Sequence, residues 1–285
     1  MAYIPSAAPT TAPRSPVAIA AREGKAALAF VERNFFLTKR YWGWEAAFLV
    51  YTAASSLSIM FIGASQDGDT DRLILFLAIG TLVWGYLNSV FMNVAETIAW
   101  ERWEGTIEYT MMAPVSRITH MVGMSLFAIL YGLVRSTVLF LVLVALFPEM
   151  SLSAANLPGA ALVIAVGSIS FIGFGIVGAV LPLLFPEKGE QMTFIISSIL
   201  LLVSGVYYPV EVLPGWMQPF SAISPATYVL EAMRAAILDG AATASLLGDL
   251  LALSAIAIVS IPVGLAIFGY FERYAKRTGR LKRSG

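Results

Sequence analysis

The side chains best equipped for chemistry in this chain are carboxylates. Glu96, Glu101, Glu104 and Glu108 fall close together, and the last three belong to the run ERWEGTIEYTMMAPVSR, residues 101–117, which separates two long apolar stretches. A run this charged cannot sit in lipid and must face water or a partner. On a helix, Trp100, Trp103 and Ile107 fall on one stripe and Glu101, Glu104 and Glu108 on another. That pattern predicts an amphipathic helix at a membrane face, its acidic stripe turned outward to dock a soluble protein. Catalysis has little to build on. Cysteine is absent and His120 is the single histidine, so there is no thiolate nucleophile, no disulfide framework, and no Cys- or His-rich metal site. No HExxH or Ser-His-Asp arrangement can be assembled, and no Gly-rich loop ends in Gly-Lys-Ser/Thr to cradle phosphate.

Three other sets of residues carry chemistry at positions where it must be explained. Arg135 is the one ionisable side chain deep in an apolar run, at an insertion cost of about 2.5–3.5 kcal/mol, so it must face protein or water. It either binds an anionic substrate headgroup or pairs with a carboxylate during gating, or it makes a structural contact to backbone carbonyls or to a polar residue such as Asn88. Tyr207, Tyr208 and Trp216 suit an interfacial aromatic belt or an outer gate. Glu231 and Arg234, three apart on a helix, could form a solvated ion pair.

The elements that must hold these residues are membrane helices. The 285 residues are 58% hydrophobic and 13% charged, with a mean hydropathy of +0.79, whereas soluble chains carry about 25% charged residues. The net charge of +0 argues against a nucleic-acid partner. Taking about 20 apolar residues per crossing, the chain predicts an all-α integral membrane protein of six spans: Ala46–Ala64, Leu73–Ala95, Met121–Phe147, a segment within Leu157–Phe185, Met192 to about Tyr208, and Leu250–Phe271. The acidic turn QDGDTD joins the first two. Basic residues set the orientation. Arg14, Arg22, Lys25, Arg33, Lys39 and Arg40 precede the first span, and Arg273, Lys276, Arg277, Arg280, Lys282 and Arg283 follow the last, against Arg72 and Arg234 on the other side. Both termini and the glutamate-rich helix are therefore expected on the cytoplasmic side.

The remaining segments complete the organisation. Residues 1–16 carry Pro5, Pro9, Pro13 and Pro16 and no uninterrupted apolar core, which predicts a disordered tail and no signal peptide. Residues 17–43 have Leu28, Val31 and Phe35 at helical spacing among basic residues, as in a basic amphipathic helix lying in the cytoplasmic interface or a simple positively charged anchor. The six-span body covers 44–272 and a basic tail 273–285. Between the fifth and sixth spans, Pro209, Pro214 and Pro219 break the chain into short helices that dip into the outer leaflet. Ser224 before Pro225 predicts a capped helix start, and Gly240 a stop. Gly173, Gly175 and Gly178 predict close helix packing within the fourth span.

Two of these segments carry a resemblance. ERWEGTIEYTMMAPVSR resembles the Glu-Arg-x-x-Gly-Thr-hydrophobic-Glu…Pro-Val-Ser-Arg pattern of type 2 ATP-binding-cassette (ABC) exporter permeases. SGVYYPVEVLPGWMQPFSAISPATYVLEAMR, residues 204–234, resembles the second signature of that family. The order of the motifs and the six spans extend the likeness to essentially the whole chain. It departs in placing Trp103 where the family often has an acidic residue.

The resemblance implies a permease that works as a dimer, with itself or a related chain, in the bacterial plasma membrane. Two copies of a separate nucleotide-binding subunit would dock on it. ATP and magnesium would bind to that partner and not to this chain. Glu101, Glu104 and Glu108 would contact the ATPase, with Arg102, Gly105 and Thr106 in the same coupling motif and Pro114 ending the helix. The charge-poor spans suit export of a hydrophobic or amphipathic drug- or antibiotic-like molecule, as in multidrug efflux. A lipid or lipid-linked glycan is the alternative, its phosphate received by Arg135 and the basic N-terminal helix. From another class, a stand-alone ion-coupled transporter or membrane enzyme would need carboxylates or histidines at membrane depth, and every Asp and Glu is expected at or outside the span ends.

Overall fold

The computed structural model describes residues 15–66, 70–147 and 154–281. Residues 1–14 of the expected tail, the Asp67–Asp69 part of the acidic turn, and Lys282 and Arg283 of the basic tail lie outside the described residues. The described chain is helical throughout: α1 (Pro16–Arg40), α2 (Trp42–Ala64), α3 (Thr70–Glu104), α4 (Ile107–Met112), α5 (Arg117–Leu146), α6 (Leu157–Gly178), α7 (Val180–Leu184), α8 (Gly189–Val203), α9 (Gln218–Ser221), α10 (Pro225–Ile237) and α11 (Leu247–Arg277). Short 3₁₀ turns sit at Val210–Val212 and Thr243–Leu246.

Among the described residues, five helical stretches are long and apolar enough to cross a membrane: Trp42–Ala64, Thr70–Glu104, Arg117–Leu146, Leu157–Leu184 and Thr243–Arg277. The expected fifth span corresponds to α8, an apolar helix of 15 residues, about 22 Å long at 1.5 Å per residue and so shorter than the other five. It stops where Ser204 and Gly205 turn the chain back.

The helix of the second expected span runs further than expected. α3 continues for 35 residues without a break, so the span and the first turns of the acidic segment form one rod that also carries Glu96 and Glu101.

α3 is the axle of the bundle, packed against α2, α5, α6, α7, α8 and α10. One half of the core gathers Ile79–Met92 of α3 with α6, α10 and the start of α11, and the other gathers Val94–Ile98 with Ile107, Met111, Met121, Met124, Ile176, Leu183 and Phe268. The glycines of α6 act as the sequence predicts. A methyl group on Gly173 would lie 2.5 Å from Ser260 Cβ, and one on Gly264 2.8 Å from the Gly173 carbonyl, so α6 and α11 cross almost backbone to backbone.

α1 begins one residue earlier than the expected interfacial helix. Ser15 accepts a hydrogen bond from the Ala18 N–H at 3.3 Å, and Pro16 takes the first helical position, where its missing N–H costs nothing. One face of α1 lies on α5, with Ala27 and Asn34 buried, while Leu28, Phe35 and Phe36 stay exposed. Such an exposed apolar face suits an interfacial helix. α10 is seated within the bundle. Ala226, Val229, Leu230, Ala232 and Ala236 are fully buried against the bundle.

Candidate functional site

The acidic segment is a corner and not a single amphipathic helix. α3 ends in a Schellman arrangement: the Thr106 N–H donates to the Glu101 carbonyl at 2.9 Å and the Gly105 N–H to the Arg102 carbonyl at 3.3 Å, which requires a left-handed residue after the cap. Gly105 supplies it, at φ +75°. α4 then turns away and ends at Ala113, extended as a residue before proline must be. Because the helix breaks at Gly105, the expected stripes do not persist. Glu104 and Glu108 are exposed beside Trp103 and Tyr109, whereas Ile107 turns into the core. Thr106 is half-buried under the corner. Gly105→Ala is expected to cost about 1–2 kcal/mol, the penalty of a side chain in the left-handed region, read as a lowered thermal midpoint of the purified protein.

Glu101 faces inward, contrary to expectation. It is 4% exposed, with its Oε1 2.6 Å from Arg33 Nη1 of α1 and 3.8 Å from Nε2 of the fully buried His120. Phe30 covers the imidazole, ring centroids 4.6 Å apart. Arg102 is buried as well, and its Nε has no hydrogen-bond partner among the described residues. Of the coupling residues named from the sequence, only Glu104 and Glu108 present carboxylates to the outside.

Two further side chains hold the corner. Arg117 donates from Nε to Glu272 of α11 at 2.9 Å, and from Nη1 and Nη2 to the Thr110 and Met111 carbonyls at 3.3 and 2.7 Å. It thereby satisfies carbonyls at the end of α4 that the helix itself leaves free. Lys276 shares Glu272 at 2.6 Å. Ser116 caps α5 at the Thr119 N–H, and the Thr119 hydroxyl donates to Glu23 of α1. That bond, with Arg22 beside it, holds the Glu23 carboxyl below the usual carboxylate range. The sequence marks Arg33 only as part of the basic bias and Arg117 only as the end of the first motif, and it gives no sign of Glu272. Each is an ordinary charged residue near a helix end, and its partner lies far away along the chain.

A second functional feature is a cavity of about 530 Å³ between α1, α2, α3, α5 and α8. Arg135 and Asn88 both line it, but they do not bond to each other. Arg135 Nη2 donates to Thr52 Oγ1 at 2.8 Å and to the Phe48 carbonyl at 3.4 Å, and Nη1 reaches the Tyr131 hydroxyl at 3.5 Å. Tyr131 in turn donates to Glu45. Asn88 instead accepts from Ser197 of α8 at 2.6 Å. The guanidinium is thus tied to α2, and one backbone carbonyl is among its partners.

At the opposite end of the bundle, Tyr207 packs on the core and the Tyr208 hydroxyl donates to the Leu202 carbonyl at 2.5 Å, while Trp216 is exposed. The Ser224 hydroxyl does not cap α10 but pairs with Ser204 at 2.7 Å, leaving Pro225 to start the helix. Arg234 forms no ion pair with Glu231. It donates to the Gly205 and Val206 carbonyls at 2.9 and 2.7 Å, and its guanidinium lies 3.6 Å from the centroid of the Phe76 ring. Burial pushes its pKa down to about 10, a value that leaves it charged at neutral pH.

The residues organised in this way, from the Gly105 corner to the Arg234 turn, coincide with the two motif segments of the sequence. A family model for the ABC-2 type transporter matches residues 26–238, which takes in both motifs and all helices from within α1 to the end of α10. No curated protein matches the chain. The match spans most of the polypeptide, and five of its helical stretches can cross a bilayer: this chain belongs to the ABC-2 type transporter family, as a multi-pass membrane permease component.

Proposed function

We propose that this chain is the membrane-spanning subunit of an ATP-driven exporter, docking a separate nucleotide-binding subunit at the Gly105 corner. The observation that carries this reading is the placement of Glu104 and Glu108, exposed beside Trp103 and Tyr109 at 75% and 74%, at the tip of a helix that runs unbroken into the core. A push on such a tip moves the rod as a whole. The functional unit is a dimer, of two copies or of this chain with a related one, bound to two ATPase subunits that hold ATP and magnesium. It sits in the bacterial plasma membrane with the corner and both termini on the cytoplasmic side, in keeping with the Lys and Arg bias. Its cargo is a hydrophobic or amphipathic small molecule.

The test is purification of the tagged chain from native membranes. A soluble ATPase is expected at near-equal stoichiometry, and Glu104→Lys with Glu108→Lys is expected to cut its recovery more than tenfold while leaving the permease folded. Like charges placed at a docking surface repel a partner that selected acidic groups. A folded chain that comes out alone and moves its cargo on a proton gradient would refute the reading.

A further inference from the structure

We propose that the cavity between α1, α2, α3, α5 and α8 binds an amphipathic cation, which is the class of molecule the permease carries. The inference rests on the transport reading above and narrows its cargo. At about 530 Å³ the space is of the size that holds small molecules. Its charge is one-sided. Glu45, Glu96, Glu101, Glu104 and Glu190 all line it, against Arg33 and Arg135. Arg33 is committed to Glu101, and Arg135 to Thr52, the Phe48 carbonyl and Tyr131. The side chains of Glu96 and Glu190 make no hydrogen bond or ion pair among the described residues, and Glu96 lies within electrostatic reach of Glu190 and Glu45 as well as of Arg135.

A second observation is independent of the carboxylates' number. Asn34 lines the same cavity at 4% exposure, and its Nδ2 has no hydrogen-bond partner among the described residues. Buried polar atoms are almost always satisfied, so this donor awaits an acceptor, such as an ether or carbonyl oxygen of an amphipathic occupant.

The walls are suited to the rest of such a molecule. Tyr41 and Trp100 pair with ring centroids 5.5 Å apart, and Trp44 with Phe48 at 5.5 Å. Aromatic faces attract cations, organic ammonium groups above all. A phosphate would instead meet unpaired carboxylates, with both guanidiniums already engaged. The arrangement also links site to drive. Glu96 stands on α3 only about 12 Å, at 1.5 Å per residue, from Glu104 at the docking corner.

The test uses two ions of nearly the same shape and opposite charge, tetraphenylphosphonium and tetraphenylborate. Binding is measured by equilibrium dialysis to the full chain with its co-purified ATPase in phosphatidylcholine nanodiscs, with empty discs as the partition blank. The phosphonium is expected to bind saturably and at least tenfold more tightly than the borate, a difference of about 1.4 kcal/mol. Glu96→Gln and Glu190→Gln should each weaken the phosphonium about tenfold and leave the borate unchanged. Glu190 is exposed, so its variant carries no folding risk. Equal or reversed preference, or Gln variants that bind the phosphonium like the parent, would overturn the proposal. The two readings fail separately. A chain that recovers no ATPase but still selects the phosphonium keeps the cation site and loses the ATP-driven exporter. A complex that forms normally and shows no charge preference keeps the exporter and loses the site.

Discussion

Glu101→Ala is expected to destabilise the protein by about 3 kcal/mol and to loosen α1 from the bundle, although Glu101 sits in what reads as a docking motif. Removing one partner of a buried ion pair costs about 3–5 kcal/mol because the other charge is left without compensation. Glu101 is 4% exposed and holds Arg33 at 2.6 Å, with the buried His120 at 3.8 Å on its other side. The Arg33 side chain keeps 34% of its exposure, so it can swing toward water, which places the loss at the lower end of that range. The measurement is unfolding of the purified chain in micelles, together with proteolysis between α1 and α2 as a report on α1. An Arg33→Ala, Glu101→Ala double-mutant cycle should return a coupling above about 1 kcal/mol. Glu104→Ala and Glu108→Ala should stay within about 0.5 kcal/mol, as surface substitutions do. If Glu101→Ala is as stable as Glu104→Ala, the inward role assigned to Glu101 is wrong.

The second large effect is expected at the other end of the molecule. Arg234→Leu should cost about 3 kcal/mol or more, and Arg234→Lys about half of that. The guanidinium donates to two successive carbonyls, Gly205 and Val206, while its plane lies over Phe76. Hydrogen bonds from a charged donor contribute about 1.5–3 kcal/mol each. A leucine would bury both carbonyls unpaired. A lysine has one ammonium and no flat face, so it can serve one carbonyl and cannot stack. The turn has nowhere to retreat, because the Val206 carbonyl is packed so tightly on α3 that a methyl group on Gly80 would lie 2.1 Å from it. Thermal unfolding of the three proteins checks the order. A lysine variant as damaged as the leucine variant would show that the ring contact, not the two carbonyls, sets the cost.

What the sequence conveyed follows from the range of the physics involved. Local chemistry was legible. Pro225 starts α10 and the α6 glycines allow a close crossing, each decided by a residue and its near neighbours, whereas Ser15 and Pro16, read as part of the tail, start α1, and Gly105, read inside a helix, ends α3. The length of α3 was misjudged because hydropathy stops at Ala95, whereas helix formation does not depend on lipid and continues to Glu104. The direction of Glu101 was misjudged for a related reason. A stripe drawn through Gly105 assumes a continuous helix, and its partners, Arg33 and His120, come from α1 and α5. Arg234 looked like half of a local ion pair because Glu231 is near in sequence, but the carbonyls that hold it lie about thirty residues upstream. Ser224 was expected to cap its own helix, but its hydroxyl pairs with that of Ser204 instead.

The seat of α1 has a consequence for the order in which the molecule is built. Its contacts on α5 join residues far apart in the chain: the Glu23–Thr119 bond closes a separation of 96 residues. At about 5–20 residues per second of synthesis, α1 leaves the ribosome roughly 5–20 s before the surface that receives it. Until α3 brings Glu101 to Arg33 and α5 supplies the receiving face, the apolar face and basic residues of α1 rest on the membrane surface. Docking of α1 therefore records that α5 has been laid down and placed correctly against α3. A chain that stalls before that point leaves its first helix unseated, and so carries at its own N-terminus the mark of an unfinished protein.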